Sequence, residues 1–419
     1  MFKDTLRVGF MLGWKQIRHA SKWTTGLIIF IMMLTFLNLV AVSGILVGLI
    51  EGSVKTYEDQ FTGNVFISTL TGEKSIEQSP SLISTLETIP GVASYTARYT
   101  GGVTVEANYR ERRDPKALRD SVGTTIVGLD PTIEDDVTGL SKNIVEGEFL
   151  TNQDGGYVML GANLLEQYSP LGSGDDVGYP TLSNIKPGSR VRITVGDATK
   201  EYIVKGILKT KVDEISRRVF VTKGEFVRIA GRTDLNLNEI AIRAEEGYDP
   251  ALIKRDLVES GAKDIAVVRL SREGLPQFLL DMIDTFAMLG NGISSVGLIV
   301  SSITIFIVIF VNAITRRKYI GILKGIGVSA SAIELSYVIQ SLLYVAVGSA
   351  IALFLIYGVM VPFFNAHPIN FPFSDGILVA PLSGTIKKLV ILVIATLLAG
   401  YIPARMIVKR NTLDAILGR

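Results

Sequence analysis

Four long stretches without a charged side chain constrain what this chain of 419 residues can fold into. They cover residues 26–50, 285–315, 335–361 and 389–404. A helix rises about 1.5 Å per residue, so about 20 apolar residues cross a hydrocarbon core of roughly 30 Å. The fourth stretch is short, and we extend that span to 387–404, with Lys387 and Lys388 reaching the outer interface. The sequence therefore predicts four membrane-spanning helices, the first of them an uncleaved span rather than a signal peptide.

The distribution of charge predicts how these spans are oriented. The whole chain has a net charge of only +2, from 42 basic and 40 acidic residues. Segments 1–25, 316–334 and 405–419 together carry +10, and the remaining residues carry −8. Basic residues near span ends are retained on the cytoplasmic side. We therefore expect both termini and the 316–334 loop to be cytoplasmic in a multi-pass protein of the inner or plasma membrane, and residues 51–283 and the 362–386 loop to lie outside.

The large segment 51–283 has two ends that look alike. Each end predicts a strand, a helix opened by a Ser-Pro or Asp-Pro pair, a glycine stop and a second strand. The first unit runs from Asn64 to Arg98, and the second runs from Glu239 to Leu270. Two such units brought together predict one α+β subdomain built from segments that are distant in sequence, although chance similarity of two short units is the alternative.

Between these ends, the sequence predicts an inserted, mostly β subdomain at about 115–225. Short strands alternate with turn pairs there: Gly123–Leu129, Arg190–Val195, Glu201–Leu208 and Arg218–Thr222, with Gly196-Asp197 as a hairpin turn. The mixed-sign cluster 110–114 is typical of a solvated loop. We also expect the acidic run Glu134, Asp135 and Asp136 to be solvated rather than functional.

The sequence excludes most catalytic chemistry. It has no cysteine and two histidines, which removes thiol nucleophiles, cysteine-zinc sites and iron–sulfur clusters and nearly removes histidine metal sites. The phosphate-binding loop, His-Glu-x-x-His and Gly-x-Ser-x-Gly motifs are all absent from the sequence. We therefore predict a non-catalytic chain without catalytic, cofactor-binding or metal-binding residues and without a nucleic-acid partner.

The spans contain hydroxyl, amide and glycine residues instead of ionisable ones. Such residues are typical of close helix packing, and they argue against an ion pathway. We predict that the first two spans line a contact with a second subunit, and lipid-facing hydroxyls bonded to their own backbone are the alternative. The predicted interface residues are Asn38, Ser43, Gly44, Gly48, Ser294, Ser295 and Ser301.

The loop after the second span and the end of the chain contain the most specific motifs. The loop reads Arg316-Arg317-Lys318-Tyr319-Ile320-Gly321-Ile322-Leu323-Lys324-Gly325-Ile326-Gly327-Val328, and the end contains Ile402-Pro403-Ala404-Arg405 and Asn411–Leu417. Here the chain resembles the FtsX/MacB-type permeases of ABC transporters, the membrane subunits of lipoprotein-release or macrolide-export type. Tyr319 stands where that family often has Glu, and 413–416 lacks the usual proline. The strong resemblance covers about 285–419.

The resemblance implies a fold and a set of partners. It implies four helices with a large α+β extracytoplasmic domain, a MacB-like periplasmic core, between helices 1 and 2. It also implies that the loop is a coupling helix in a groove of a separate cytoplasmic ABC ATPase, which would bind ATP and Mg because this chain holds no cofactor. The implied coupling residues are Ile322, Leu323, Lys324, Gly325, Ile326, Gly327, Val328, Ser329 and Ala330. The further implied partners are a second permease subunit in a homo- or heterodimer, the lipid bilayer and, in some members, a periplasmic adaptor.

Three functions fit this organisation. The first is a permease subunit that uses a partner's ATP hydrolysis to export or extract a lipoprotein, lipid, peptide or other amphiphile. The second is an FtsX-like mechanotransmitting regulator that activates a cell-wall hydrolase or signals without transport. The third is a membrane-anchored hydrolase, which the absent motifs disfavour. For the loop itself, the alternative to coupling is an amphipathic helix on the membrane surface.

Overall fold

The computed structural model describes residues 2–18, 21–111, 119–168, 180–367, 369–371, 374–376 and 378–409. The chain divides into two compact units. A helical unit contains residues 1–51, 278–370 and 375–419, and a sheet unit contains residues 52–277 with 371–374.

Helices of very different length are distributed over the two units. In chain order they are α1 (Phe2–Arg18), α2 (Lys22–Tyr57), α3 (Ser79–Leu86), α4 (Pro131–Thr138), α5 (Asp213–Ser216), α6 (Lys223–Ala230), α7 (Pro250–Glu259), α8 (Gln277–Thr315), α9 (Arg317–Gly325), α10 (Ala330–Leu355), α11 (Val361–Ala366) and α12 (Leu382–Val408). Short π-helical turns follow α2 at Glu58–Thr62 and α10 at Ile356–Met360.

The strands are shorter and are concentrated in the sheet unit. They are β1 (Val65–Thr69), β2 (Val92–Glu106), β3 (Ser121–Leu129), β4 (Ile144–Gly147), β5 (Tyr157–Gly161), β6 (Arg190–Val195), β7 (Ala198–Leu208), β8 (Arg218–Thr222), β9 (Glu239–Ala244), β10 (Ala266–Leu270), β11 (Ile369–Phe371) and β12 (Ser374–Gly376).

Within the described residues, four helical runs are long and apolar enough to cross a membrane. They cover 22–62, 279–315, 330–366 and 382–408. Together with the mixed sheet unit, they confirm the predicted class, a four-span membrane protein with a large α+β domain. The third run differs from the prediction at its end, since it continues beyond residue 361 to Ala366. Pro362 lies two residues after the π-helical turn Ile356–Met360, and the run continues through it to Ala366.

Small residues bring the helices of the helical unit into close contact. A Cβ on Gly348 of α10 would lie 2.6 Å from Cβ of Met32 of α2. A Cβ on Gly400 of α12 would lie 2.7 Å from Oγ of Ser341 of α10. Real side chains do not approach so closely, so these glycines set the separation of the helices.

The two ends of the sheet unit form one half of a continuous sheet, as the repeated strand-helix-strand pattern predicts. Its strand order is β10-β1-β9-β2, with every neighbouring pair antiparallel. The strands β1 and β9 pair side by side although residues 70–238 separate them, with Val65 opposite Ile242. The helices α3 and α7 begin at the predicted Ser-Pro and Asp-Pro pairs, and the Asp249 carboxylate accepts a hydrogen bond from Ala251 N–H.

The long strand β2 extends this sheet into its second half. Beyond Arg98, β2 pairs with β3, and the order continues β3-β8-β5-β7-β4, with β6 against β2 and β7. The predicted hairpin is present, because β6 and β7 are joined by Gly196-Asp197 and Gly196 has a φ of 56°. Residues 112–118, which include most of the mixed-sign cluster, lie outside the described residues.

The expectation that the acidic run is solvated is wrong for Glu134. The run forms part of α4, whose first turn is capped by the Asp130 side chain. The Glu134 side chain is completely buried and accepts hydrogen bonds from Arg98, Thr96 and Thr138. A buried carboxylate needs such a partner, because burying an unpaired charge is very costly.

Arg98 is the centre of a buried ion network at the start of the sheet unit. Its Nε donates to Glu134 Oε2 at 2.9 Å, and its Nη2 donates to the Phe61 carbonyl at 2.8 Å. Glu239 on β9 lies 3.5 Å from Arg98 and accepts two hydrogen bonds from Arg218 on β8. The network therefore ties the π-helical turn after α2 to three strands and to α4.

Candidate functional site

The short helix α9 connects two of the long helices and contains most of the predicted coupling residues. Its N-terminal half is held by Ile320, which is buried in the apolar core of the helical unit. Leu323 and Val328 are half-buried and pack against the same core. The inward side of α9 thus fixes it to the helical unit.

The end of α9 is a Schellman motif. The N–H of Val328 donates to the Leu323 carbonyl at 2.9 Å, and the N–H of Gly327 donates to the Lys324 carbonyl at 3.1 Å. Gly327 has a φ of 92°, which residues other than glycine rarely adopt. The hydrophobic pair that accompanies this motif is Leu323 and Val328. The turn therefore explains why glycine occupies position 327, without any contact to a partner.

Lys324 joins α9 to the end of α12. Its Nζ donates to the carbonyl of Val408 at 3.0 Å. The carbonyls of a last helical turn lack helical partners and carry partial negative charge. A lysine there donates a hydrogen bond to one of these carbonyls and also balances the negative charge. The helix α9 is thus attached to α10 through the turn at Gly327 and to α12 through Lys324.

The other side of α9 is exposed and apolar. Tyr319 is 70% exposed, Ile322 is 51% exposed and Ile326 is 72% exposed. Spacings of three and four residues place these side chains on one face of the helix. Exposed small residues continue this face into the start of α10. We call Tyr319, Ile322, Gly325, Ile326, Ser329 and Ala330 the α9 surface.

The structure divides the predicted coupling residues into two groups. Leu323, Lys324 and Val328 hold α9 in place, whereas Ile322, Gly325, Ile326, Gly327, Ser329 and Ala330 are exposed. Tyr319 is the residue that the sequence reasoning missed, since it was considered only as a departure from a family pattern. The helical period from Tyr319 to Ile322 and Ile326 is the signal that identifies it.

The predicted subunit-interface residues fall into different environments. Most of them make contacts within the chain, and Ser43, Ser295 and Ser301 each donate to a carbonyl of their own helix. Ser43 accepts a hydrogen bond from Lys388, the Gly44 carbonyl accepts one from Val379 N–H, and Ser301 is buried. Asn38 faces Gly297 of α8, and Gly48 is buried. Ser294 is half-buried and Ser295 is exposed. Lys388 thus turns toward α2, whereas Lys387 is exposed.

The sequence reasoning also missed α1, a helix that packs along α10. A Cβ on Gly9 would lie 2.9 Å from Leu335, and a Cβ on Gly13 would lie 2.9 Å from the Ser336 carbonyl. The pattern Gly9-x-x-x-Gly13 is the sequence signal for this close approach. Residues 410–419, which include the Asn411–Leu417 part of the tail motif, lie outside the described residues.

Residues 291–412 match the family model described as "FtsX-like permease C-terminal". This range contains the α9 surface, both of its anchors and the helices α10 and α12. The last third of the chain therefore matches an FtsX-like permease domain, which confirms the resemblance that the loop motif indicated.

Curated relatives and a solved structure are also similar to this chain. "Uncharacterized ABC transporter permease MJ1507" of Methanocaldococcus jannaschii is 25% identical over 258 residues, which cover 58% of this chain and 61% of the relative. "Macrolide export ATP-binding/permease protein MacB" of Campylobacter fetus is 24% identical over 189 residues, which cover 44% of this chain and 28% of the relative. The crystal structure of the periplasmic region of MacB from Actinobacillus actinomycetemcomitans aligns with a TM-score of 0.34 and 14% identity over 53% of this chain and 94% of that chain. The chain thus spans about three-fifths of the first of these relatives.

Proposed function

We propose that this protein is the membrane permease subunit of an ABC transporter, and that a separate cytoplasmic ATPase drives it by pushing on the α9 surface. The observation behind this proposal is that α9 is fixed on one side and apolar on the other. A lever must be rigidly attached to what it moves and must offer the motor a surface to bind. The Schellman turn, Lys324 and Ile320 supply the attachment, and Tyr319, Ile322 and Ile326 offer the surface.

The exposed side chains are sufficient for a stable contact. Fully burying one large apolar side chain contributes about 1.5–3 kcal/mol. Two or three such side chains at the centre of an interface can dominate its affinity. Gly325, Ser329 and Ala330 beside them leave room for the partner's backbone to approach. ATP and Mg would be bound by the ATPase.

We propose that motion of α9 passes through α8 and α10 to an extracytoplasmic sheet domain, which works on a lipoprotein, lipid, peptide or other amphiphile. The absence of ionisable side chains from the middle of the spans supports an amphiphile over an ion as cargo. The Arg98 network supports force transfer at the far end of α2, because it bonds the backbone at Phe61 to a charged pair inside the sheet unit.

A second permease subunit is proposed to pack on the outward face of α8. Gly292 and Ser295 are exposed there, and a Cβ on Gly292 would meet nothing within 4 Å. They lie beside exposed apolar side chains such as Met288, Ile293 and Ile299. Small residues among large apolar ones permit close contact between helices of two subunits.

Copurification from the native host tests the proposed coupling. Tagged wild-type protein is expected to retain a chain with a Gly-x-x-x-x-Gly-Lys-Ser/Thr motif, identified by mass spectrometry, and the complex is expected to hydrolyse ATP. Ile322→Asp and Ile326→Asp are each expected to reduce retention at least tenfold, since a charge would be buried without a partner. Leu235→Asp is the matched control, because Leu235 is 71% exposed and lies in the sheet unit. Equal retention by all variants would contradict the proposal.

A vesicle experiment separates export from regulation. The complex is reconstituted with the α9 surface outward, and ATP is added with a fluorescent lipid or lipopeptide. Movement of the probe that requires ATP and is lost in Ile326→Asp is the result expected for a transporter. ATP hydrolysis without movement of any probe would favour a regulator.

A further inference from the structure

A second feature of the helical unit is a cavity of about 550 Å³ between α1, α9 and α10. Its polar wall consists of Lys15 and Gln16 from α1, Arg316 and Tyr319 from the start of α9, and Tyr337 from α10. This volume lies within the range of small-molecule sites, about 300–1,000 Å³. We call it the α1 cavity.

Two polar atoms on residues that line this cavity are buried and have no hydrogen-bond partner among the described residues. They are Oη of Tyr337, a residue that is 1% exposed, and Oε1 of Gln16. Leaving one such group unsatisfied costs about 1–3 kcal/mol. Both residues line the cavity, and a ligand that accepts a hydrogen bond from Tyr337 and donates one to Gln16 would satisfy both atoms.

The charge of the cavity indicates the sign of that ligand. Lys15 and Arg316 both line it, and no carboxylate does so among the described residues. An arginine and a lysine together with a hydroxyl donor are the usual partners of a phosphate group. A group that also donates to Gln16 is a hydroxyl or an ammonium on the phosphate's substituent.

The surroundings favour a lipid over a soluble phosphate. Leu12, Ile320 and Leu323 form the apolar wall of the cavity. The outward side of α1 exposes Phe10, Met11 and Trp14 next to Lys15 and Arg18. An apolar face with tryptophan and flanking basic residues is typical of a helix in the interfacial layer of a membrane, where lipid headgroups lie.

We propose that the α1 cavity binds the phosphoglycerol headgroup of an anionic phospholipid. The phosphate pairs with Arg316 and Lys15 and accepts from the Tyr337 hydroxyl, and a glycerol hydroxyl donates to Gln16 Oε1. Such a lipid joins α1 to the root of α9 and thereby stiffens the segment that the ATPase would push. The assignment to the cytoplasmic leaflet and the effect on the segment that the ATPase would push rest on the proposed function, whereas the lipid site itself does not.

Native mass spectrometry of the full-length permease, without any ATPase, tests the site. Delipidated protein is titrated with phosphatidylglycerol or phosphatidylcholine. Arg316→Gln is expected to weaken phosphatidylglycerol binding about tenfold, because a charge-assisted hydrogen bond is lost. Tyr337→Phe removes one hydroxyl, retains the ring and is expected to weaken binding about three- to tenfold.

Lys318→Gln is the matched control, because Lys318 is exposed on α9 and does not line the cavity. It removes one positive charge and is expected to change binding less than twofold. Equal binding by Lys318→Gln, Arg316→Gln and Tyr337→Phe would overturn the proposal, as would equal binding of phosphatidylcholine and phosphatidylglycerol by the wild type. Displacement of the lipid by an equal concentration of glycerol phosphate would assign the cavity to a soluble phosphate instead.

Thermal unfolding of each variant shows whether it is folded. If Arg316→Gln does not fold, the Tyr337→Phe and glycerol phosphate measurements still test whether the cavity binds the lipid. Wild-type protein that binds phosphatidylglycerol but retains no ATPase would contradict the coupling proposal alone. Wild-type protein that retains the ATPase but binds phosphatidylglycerol and phosphatidylcholine equally would contradict the lipid site alone.

Discussion

Arg98 is a charged side chain that is 1% exposed, and its charge is stabilised by the carboxylates of Glu134 and Glu239. Arg98→Met would leave Glu134 buried without its cation, which typically costs about 3–5 kcal/mol. We expect hydrogen exchange of β2 and β9 amides in the full-length protein to accelerate at least a hundredfold. Arg110→Met is the control, because the Arg110–Glu201 pair is exposed and such pairs contribute about 0–1 kcal/mol. Similar exchange in both variants would show that the network does not hold the sheet.

Glu239 makes the same network sensitive to acid. Burial alone would raise the pKa of its carboxyl, but Arg218 and Arg98 outweigh burial and hold that pKa below its usual value. A lowered folded-state pKa contributes stability above the unfolded pKa of about 4.3, and that stability is lost as the pH falls through the folded value.

We therefore expect the unfolding temperature of the sheet unit to decrease when the pH is lowered below about 4.3. Glu239→Gln is expected to be less stable than the wild type at pH 7 and to lose less of its stability as the pH is lowered. Near-ultraviolet circular dichroism of the tyrosines reports mainly on this unit, since nine of the 14 tyrosines lie within residues 52–277 and both tryptophans, Trp14 and Trp23, lie in α1 and α2. Parallel pH curves for the two proteins would contradict this role of Glu239.

At the scale of the element, substitutions of Gly325 and Gly327 distinguish a residue needed for the local turn from a residue that a partner contacts. Gly327 has a φ of 92°, so Gly327→Ala strains the Schellman turn by about 1–2 kcal/mol. We expect hydrogen exchange at Val328 N–H to accelerate about five- to thirtyfold, since that N–H closes the turn.

Gly325→Ala is the matched substitution, because its Cβ would meet nothing within 4 Å and Gly325 lies inside α9. Alanine there favours the helix by about 1 kcal/mol, so exchange is expected to slow. If ATPase copurification nevertheless falls in Gly325→Ala, the partner approaches this glycine closely. Faster exchange in both variants would contradict the assigned turn.

Local patterns account for what the sequence could predict about these elements. The Asp249-Pro250 pair, the Gly196-Asp197 hairpin and the uncharged runs are each decided by neighbouring residues, and the structure has them. Burial of Glu134 depends on Arg98, 36 residues away, and no local pattern encodes that meeting. The inward and outward sides of α9 depend on which helices surround it, so Leu323 and Ile326 look equivalent in the sequence and differ in the structure.

At the scale of the whole molecule, the proposed function depends on which side of the membrane each segment occupies. Segments 1–25, 316–334 and 405–419 carry +10 and the remainder carries −8. From this asymmetry we predict that the α9 surface lies inside the cell and the sheet unit lies outside. The chain has no cysteine, so one introduced cysteine is a unique label. Leu235→Cys and Tyr319→Cys are suited to this because the native side chains are 71% and 70% exposed.

A membrane-impermeant maleimide added to intact cells is expected to label Leu235→Cys and not Tyr319→Cys, and permeabilisation is expected to make both react. The equal exposure of the two positions removes accessibility within the protein as the cause of a difference, so only the membrane can account for it. Labelling of Tyr319→Cys in intact cells would place the α9 surface outside, where no ATP-driven subunit could reach it. The same result would move the α1 cavity to the outer leaflet, while its lipid chemistry would remain as proposed.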